Sequence, residues 1–168
     1  APLPWLGAGP ILVYNLVLLS GFVLSGVGVA LLVRTLTGGT GPALVAGIIF
    51  AFLPFRIDHY PHMQLQQTQC LPLAMWAFHR LLRTGRLRDG ALVGALVAGQ
   101  MLSCMYYGLL LIPYFAVVWG TLAIARRVRV APLLVAAAVV AVAAVPVGRA
   151  YLGARKVVGE RGRDEVVQ

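Results

Sequence analysis

Five acidic side chains are all that this sequence of 168 residues offers for acid, base or metal chemistry. Asp89 sits in an arginine-rich turn beside Arg86 and Arg88, where it would cap a helix or pair with a guanidinium. Glu160, Asp164 and Glu165 are interleaved with Arg161 and Arg163 near the end of the chain and read as solvated. Asp58 is different, because His59 follows it directly, His62 lies four positions on and Arg56 two positions before. A carboxylate with two imidazoles can bind a divalent cation, and Asp58 with His62 is the candidate pair. The run Asp58-His59-Tyr60-Pro61-His62 has no dedicated zinc spacing, however, and the same residues also fit polar groups at a membrane surface that pair with Arg56 and water.

The glutamines downstream extend this polar region. On a helix turning 100° per residue, His62, Gln66 and Gln69 fall within about 60° of one another, and Leu73, Trp76 and Arg80 continue the stripe. Uncharged amides in a membrane helix face protein or a wet cavity, since lipid leaves their hydrogen bonds unmet. A polar groove and interhelical hydrogen bonding both satisfy that rule.

The elements that must position these residues are hydrophobic helices. Charged residues are 11% of the chain, against roughly 25% in a soluble domain. Hydrophobic residues make up 60%, and the mean hydropathy is +0.87. The sequence therefore predicts an all-α, polytopic integral membrane bundle of about six hydrophobic segments, at 10–33, 42–55, 63–84, 90–104, 108–126 and 132–151. The second is short enough either to cross steeply or to dip in and return. The third should be one helix kinked at Pro72. The apolar run from 90 to 126 is too long to cross once and should fold back between Ser103 and Gly108. Residues 152–168 mix both signs of charge and read as the truncated start of an extracytoplasmic segment.

The net charge of +9 is not a nucleic-acid footprint, because the arginines sit at the ends of apolar runs instead of forming one stripe. Arg34, the group from Arg80 to Arg88 and the group from Arg126 to Arg129 mark the cytoplasmic side if all segments cross. Asp58, His59 and His62 then face away from the cytoplasm. Cys70 and Cys104 define no disulfide framework. The sequence has no GxSxG, Walker loop, HExxH or cysteine-pair metal motif, and no internal repeat of the kind found in inverted-repeat transporters. It opens Ala-Pro-Leu-Pro without a methionine, so a piece of a longer protein is expected.

A family likeness lies in the order of short motifs: Tyr14-Asn15-Leu16, Gly21 to Gly28, Ala46-Gly47-Ile48-Ile49-Phe50-Ala51-Phe52-Leu53-Pro54-Phe55-Arg56, His59, His62-Met63-Gln64-Leu65, Leu71-Pro72-Leu73-Ala74, and Gln100-Met101-Leu102-Ser103 with Tyr106-Tyr107-Gly108. In this order the chain resembles bacterial polytopic glycosyltransferases of the GT-C type, most of all the YfhO-like and mannosyltransferase-like branch. The resemblance implies an integral protein of the bacterial cytoplasmic membrane that transfers a sugar from a polyprenyl-phosphate donor on the extracytoplasmic face, often with a divalent metal such as Mg or Mn. It implies that Asp58 is a secondary catalytic acid, that Arg56, His59, His62, Gln66 and Gln69 bind substrate, and that Asp58 and His62 are the metal ligands. A carboxylate there could bind the metal or activate an acceptor hydroxyl, while cationic neighbours offset charge on the leaving phosphate. The principal acid of the family lies on an earlier external loop, upstream of Ala1, so this stretch alone is expected to be inactive. The competing readings are a non-catalytic transport or lipid-handling membrane protein with a headgroup in the same groove, and a structural membrane subunit.

Overall fold

The computed structural model describes residues 7, 9–59, 61–125 and 129–158. Among them the chain forms helices and no strand: α1 (Pro10–Thr37), α2 (Thr40–Ala51), α3 (Pro54–Asp58), α4 (Met63–Gln66), α5 (Cys70–Thr84), α6 (Leu87–Ser103), α7 (Met105–Ala125) and α8 (Ala131–Val158). Four stretches are long and apolar enough to cross a bilayer: Pro10–Thr37, Thr40–Asp58, Met105–Ala123 and Ala131–Ala150. Arg126 and Arg127, Tyr60 and the acidic tail residues lie outside the described residues.

Local chemistry sets the ends of these elements. Pro10 occupies the first turn of α1, where its missing N–H is no loss. Gly38 (φ 76°) and Gly85 (φ 61°) close α1 and α5 in the left-handed region, their N–H groups bonding the Arg34 and Leu81 carbonyls. The chain folds back at Cys104, a single extended residue between α6 and α7. Helix α8 runs on to Val158, past the expected end at 151. Beyond Gly153 its continuation Ala154-Arg155-Lys156 consists of good helix formers, and no proline stops it.

The single kinked helix expected over 63–84 is absent. The chain breaks at Gln67–Gln69, and Pro72 falls in the first turn of α5, a place proline tolerates without bending anything. The stripe from His62 to Arg80 is therefore split between two helices.

Close approaches at small residues fix how the helices run. Gly26 faces Gly47, which makes α1 and α2 antiparallel neighbours. Gly28 meets Pro72 and Leu73, and Arg83 donates to the Thr35 carbonyl at 2.8 Å, so α1 and α5 are parallel. Gly90 against Pro132 and Gly94 against Ala136 make α6 and α8 parallel. The ends of α1, α5, α6 and α8 that carry Arg34, Arg83, Arg86 and Arg129 thus gather on one side. Phe78, Leu81, Val93, Val97 and Leu111 fill the core between α5, α6 and α7, with Phe78 and Phe115 stacked at 4.3 Å.

Depth follows from α1. Counting outward from Arg34 at 1.5 Å per residue, a hydrocarbon core of about 30 Å reaches Tyr14, and Ser25 lies near its middle, about 14 Å from Arg34. Helix α2 ends at Ala51 beside Gly26, and α5 begins just before Pro72 beside Gly28. Both stop in mid-membrane, and the chain between them packs on the outer half of α1.

Candidate functional site

The segment from Phe52 to Gln69 is where most of the sequence candidates lie. The helix breaks at Phe52–Leu53 and Gln67–Gln69 survive at such depth only where their polar groups are bonded within protein or line a wet cavity. Here side chains do the bonding. Arg56 Nη2 donates to the Gln66 carbonyl at 2.7 Å, and Gln66 Nε2 donates back to the Arg56 carbonyl at 2.9 Å. Gln100 Nε2 donates to the Gln67 carbonyl at 2.8 Å, and Gln67 Nε2 reaches the Val17 carbonyl on α1 at 3.2 Å.

Arg56 anchors this arrangement. It is 3% exposed, its Nη1 donates to Ser25 Oγ, its Nε donates to Gln66 Oε1 at 3.3 Å, and the guanidinium lies 4.2 Å from the centre of the Phe22 ring. Ser25 is able to accept because its own hydroxyl proton goes to the Gly21 carbonyl one turn back. Among the described residues no carboxylate pairs with Arg56, and the one ion pair joins Arg80 to Asp89 at 3.0 Å. A guanidinium this deep is held by neutral acceptors and an aromatic face.

With Arg56 and Gln66 clasped, residues 57–59 and 61–65 stand on a loop whose neck lies against α1. Asp58 and His62 are exposed on it and His59 is half-buried. His59 stacks on Phe55 at 4.1 Å, with Nδ1 2.9 Å from the Phe55 carbonyl, and its ring lies 6.2 Å from that of His62. The structure thus brings Arg56 and Gln66 together, puts Asp58, His59 and His62 on the loop they close, and leaves Gln69 bonded to Gln67 at 3.0 Å. Arg56 and Gln66 face each other within the protein, so they hold the loop from behind.

Among the described residues no three His, Cys, Asp or Glu side chains come together in a way that would hold a metal ion. Asp58 and His62, the metal ligands that the resemblance implies, both stand exposed on the loop.

Sequence reasoning missed Ser25, Thr68 and Gln100, all buried. Thr68 Oγ1, Gln69 Oε1 and Gln100 Oε1 have no partner among the described residues and border the same turn at 67–69. For Ser25 and Gln100 a hydroxyl or amide inside an apolar run was the available signal, since such a residue needs a partner from elsewhere in the bundle. Asp89, by contrast, lies far from this site and accepts from Arg80 and from Thr84 Oγ1, a structural role at the arginine-rich end.

Fold and site together define a helical integral-membrane protein that carries an acid-bearing polar loop on the side opposite Arg34, Arg83, Arg86 and Arg129. A profile of the dolichyl-phosphate-mannose-protein mannosyltransferase family matches residues 7–148, and the chain belongs to that family, membrane glycosyltransferases that use polyprenyl-phosphate sugar donors. No curated protein and no solved structure matches it.

Proposed function

We propose that the chain forms the part of a bacterial cytoplasmic-membrane glycosyltransferase that meets the polyprenyl-phosphate donor on the extracytoplasmic face. The observation that carries this reading is the loop closed by Arg56 and Gln66, which presents Asp58, His59 and His62 at the end of the bundle opposite Arg34, Arg83, Arg86 and Arg129. Basic residues collect on the cytoplasmic side, so the loop belongs to the other face.

In this reading the Asp58 carboxylate accepts the proton of the acceptor hydroxyl as it attacks the sugar carbon. The bond to the donor phosphate breaks as the new glycosidic bond forms, and the released polyprenyl phosphate keeps the bonding electrons. His59 and His62 donate hydrogen bonds to its oxygens and stabilise the growing charge. Arg56 and Gln66 position the loop. Gln69 lies beside the unpartnered Thr68 and Gln100 atoms, where donor hydroxyls would find acceptors.

The test is sugar transfer from a polyprenyl-phosphate sugar by membranes carrying the full-length protein, comparing wild type with Asp58→Ala. Asp58→Ala should lose transfer while keeping wild-type expression, and unchanged transfer would remove Asp58 from the chemistry.

A further inference from the structure

The opposite end of the bundle holds a second polar feature, unrelated to the loop. Between the end of α5 and the start of α8 lies a cavity of about 220 Å³. Leu81, Leu82 and Leu133 form its apolar wall, and Arg83, Thr84 and Arg129 its polar one. The Arg129 side chain folds across Gly85, and a Cβ at Gly85 would come within 3.0 Å of Arg129 Cδ. The positive φ of 61° at Gly85 turns the chain there and leaves room for that side chain.

The charge around this cavity is unbalanced. Arg34, Arg80, Arg83, Arg86, Arg88 and Arg129 surround the end of the bundle, and the nearby carboxylate, Asp89, is buried and already takes Arg80 and Thr84. Arg83 spends one N–H on the Thr35 carbonyl. Arg129 forms no ion pair among the described residues. Helix α8 begins two residues after Arg129, so the positive end of its dipole adds to the same field. Arginines scattered at helix ends need no ligand, since they mark topology. Here, though, a guanidinium and an apolar wall share one cavity at the level of the lipid headgroups. Basic pockets between helices on the cytoplasmic side suit anionic headgroups.

We infer that this cavity binds one phosphate-bearing anion, with Arg129 as its main contact and the leucine wall beside the acyl chains when the anion is a phospholipid headgroup. The site is independent of the sugar-transfer loop. The measurement is native mass spectrometry of the protein released from nanodiscs of equal parts phosphatidylglycerol and phosphatidylcholine. Wild type should retain one phosphatidylglycerol in preference to phosphatidylcholine. Arg129→Gln should lower that retention by roughly tenfold, while Arg129→Lys keeps most of it. Arg88→Gln, an exposed arginine outside the cavity, should retain it like wild type. In a second arm, lipid-stripped protein in detergent is heated with inorganic phosphate. Stabilisation by phosphate that Arg129→Gln abolishes supports the site and identifies a free anion as sufficient, whereas lipid retention without that stabilisation identifies the headgroup. Equal losses in Arg129→Gln and Arg88→Gln would overturn the inference in favour of diffuse surface charge. So would equal retention of both lipids by wild type with no response to phosphate.

Discussion

Arg56 and Gln66, ten residues apart, hold each other through three hydrogen bonds: Nε to Oε1, Nη2 to the Gln66 carbonyl, and Gln66 Nε2 back to the Arg56 carbonyl. This clasp closes a loop at the depth of Phe22 and Ser25 and fixes where Asp58 and His62 can be. A buried guanidinium without a carboxylate depends wholly on such neutral acceptors, so removing one leaves the charge under-solvated.

Gln66→Leu should therefore destabilise the protein by about 2–3 kcal/mol, the worth of hydrogen bonds to a charged group. Combining it with Arg56→Met should cost less than the two single changes added together, because the second substitution removes the stranded charge. Unfolding of the four proteins in mixed micelles measures the cycle, and strict additivity would show that the two side chains do not support each other.

The direction of the helices predicts which residues water-soluble reagents reach from outside. With Cys70 and Cys104 replaced by serine, His62→Cys should react with a membrane-impermeant maleimide in intact cells, and Arg86→Cys only after permeabilisation. Both positions are exposed, so protection at either reflects the membrane and not burial. The reverse pattern would invert the topology.

Hydropathy alone made the helical bundle legible, because runs such as Pro10–Thr37 leave no soluble alternative. Arg56 was not legible in the same way. Its neighbours Asp58 and His59 suggest an interfacial cation, and only contact with Ser25, 31 positions earlier, turns it inward. The break at Gln67–Gln69 was hidden because no glycine or proline marks it. Pro72 reads as a kink until the backbone around it proves to be a first turn. The roles of Ser25 and Gln100 were not legible, because single polar residues in apolar runs show their partners only in three dimensions, and Thr68 was one polar residue among several.

Packing of α6 on α8 rests on glycines that cannot carry a side chain. A Cβ at Gly94 would lie 2.6 Å from the Ala136 carbonyl oxygen and 2.8 Å from Val139 Cβ. Gly94→Ala should cost about 1–3 kcal/mol through forced separation of the helices. Gly120→Ala on α7, which meets open space, should stay within about 0.5 kcal/mol of wild type. Thermal unfolding in detergent compares the two, and equal stabilities would show that α6 and α8 are not in close contact.

If the clasped loop carries out sugar transfer, Asp58 supplies its base. The most direct measurement is the single-turnover rate of transfer from a polyprenyl-phosphate sugar by the full-length protein, for wild type and Asp58→Ala, with unfolding followed in parallel. Asp58 is exposed and makes no ion pair among the described residues, so stability should be unchanged while the rate falls by about 10²–10⁴, the range for loss of a general base. A wild-type rate in Asp58→Ala would mean that the loop does not supply the base.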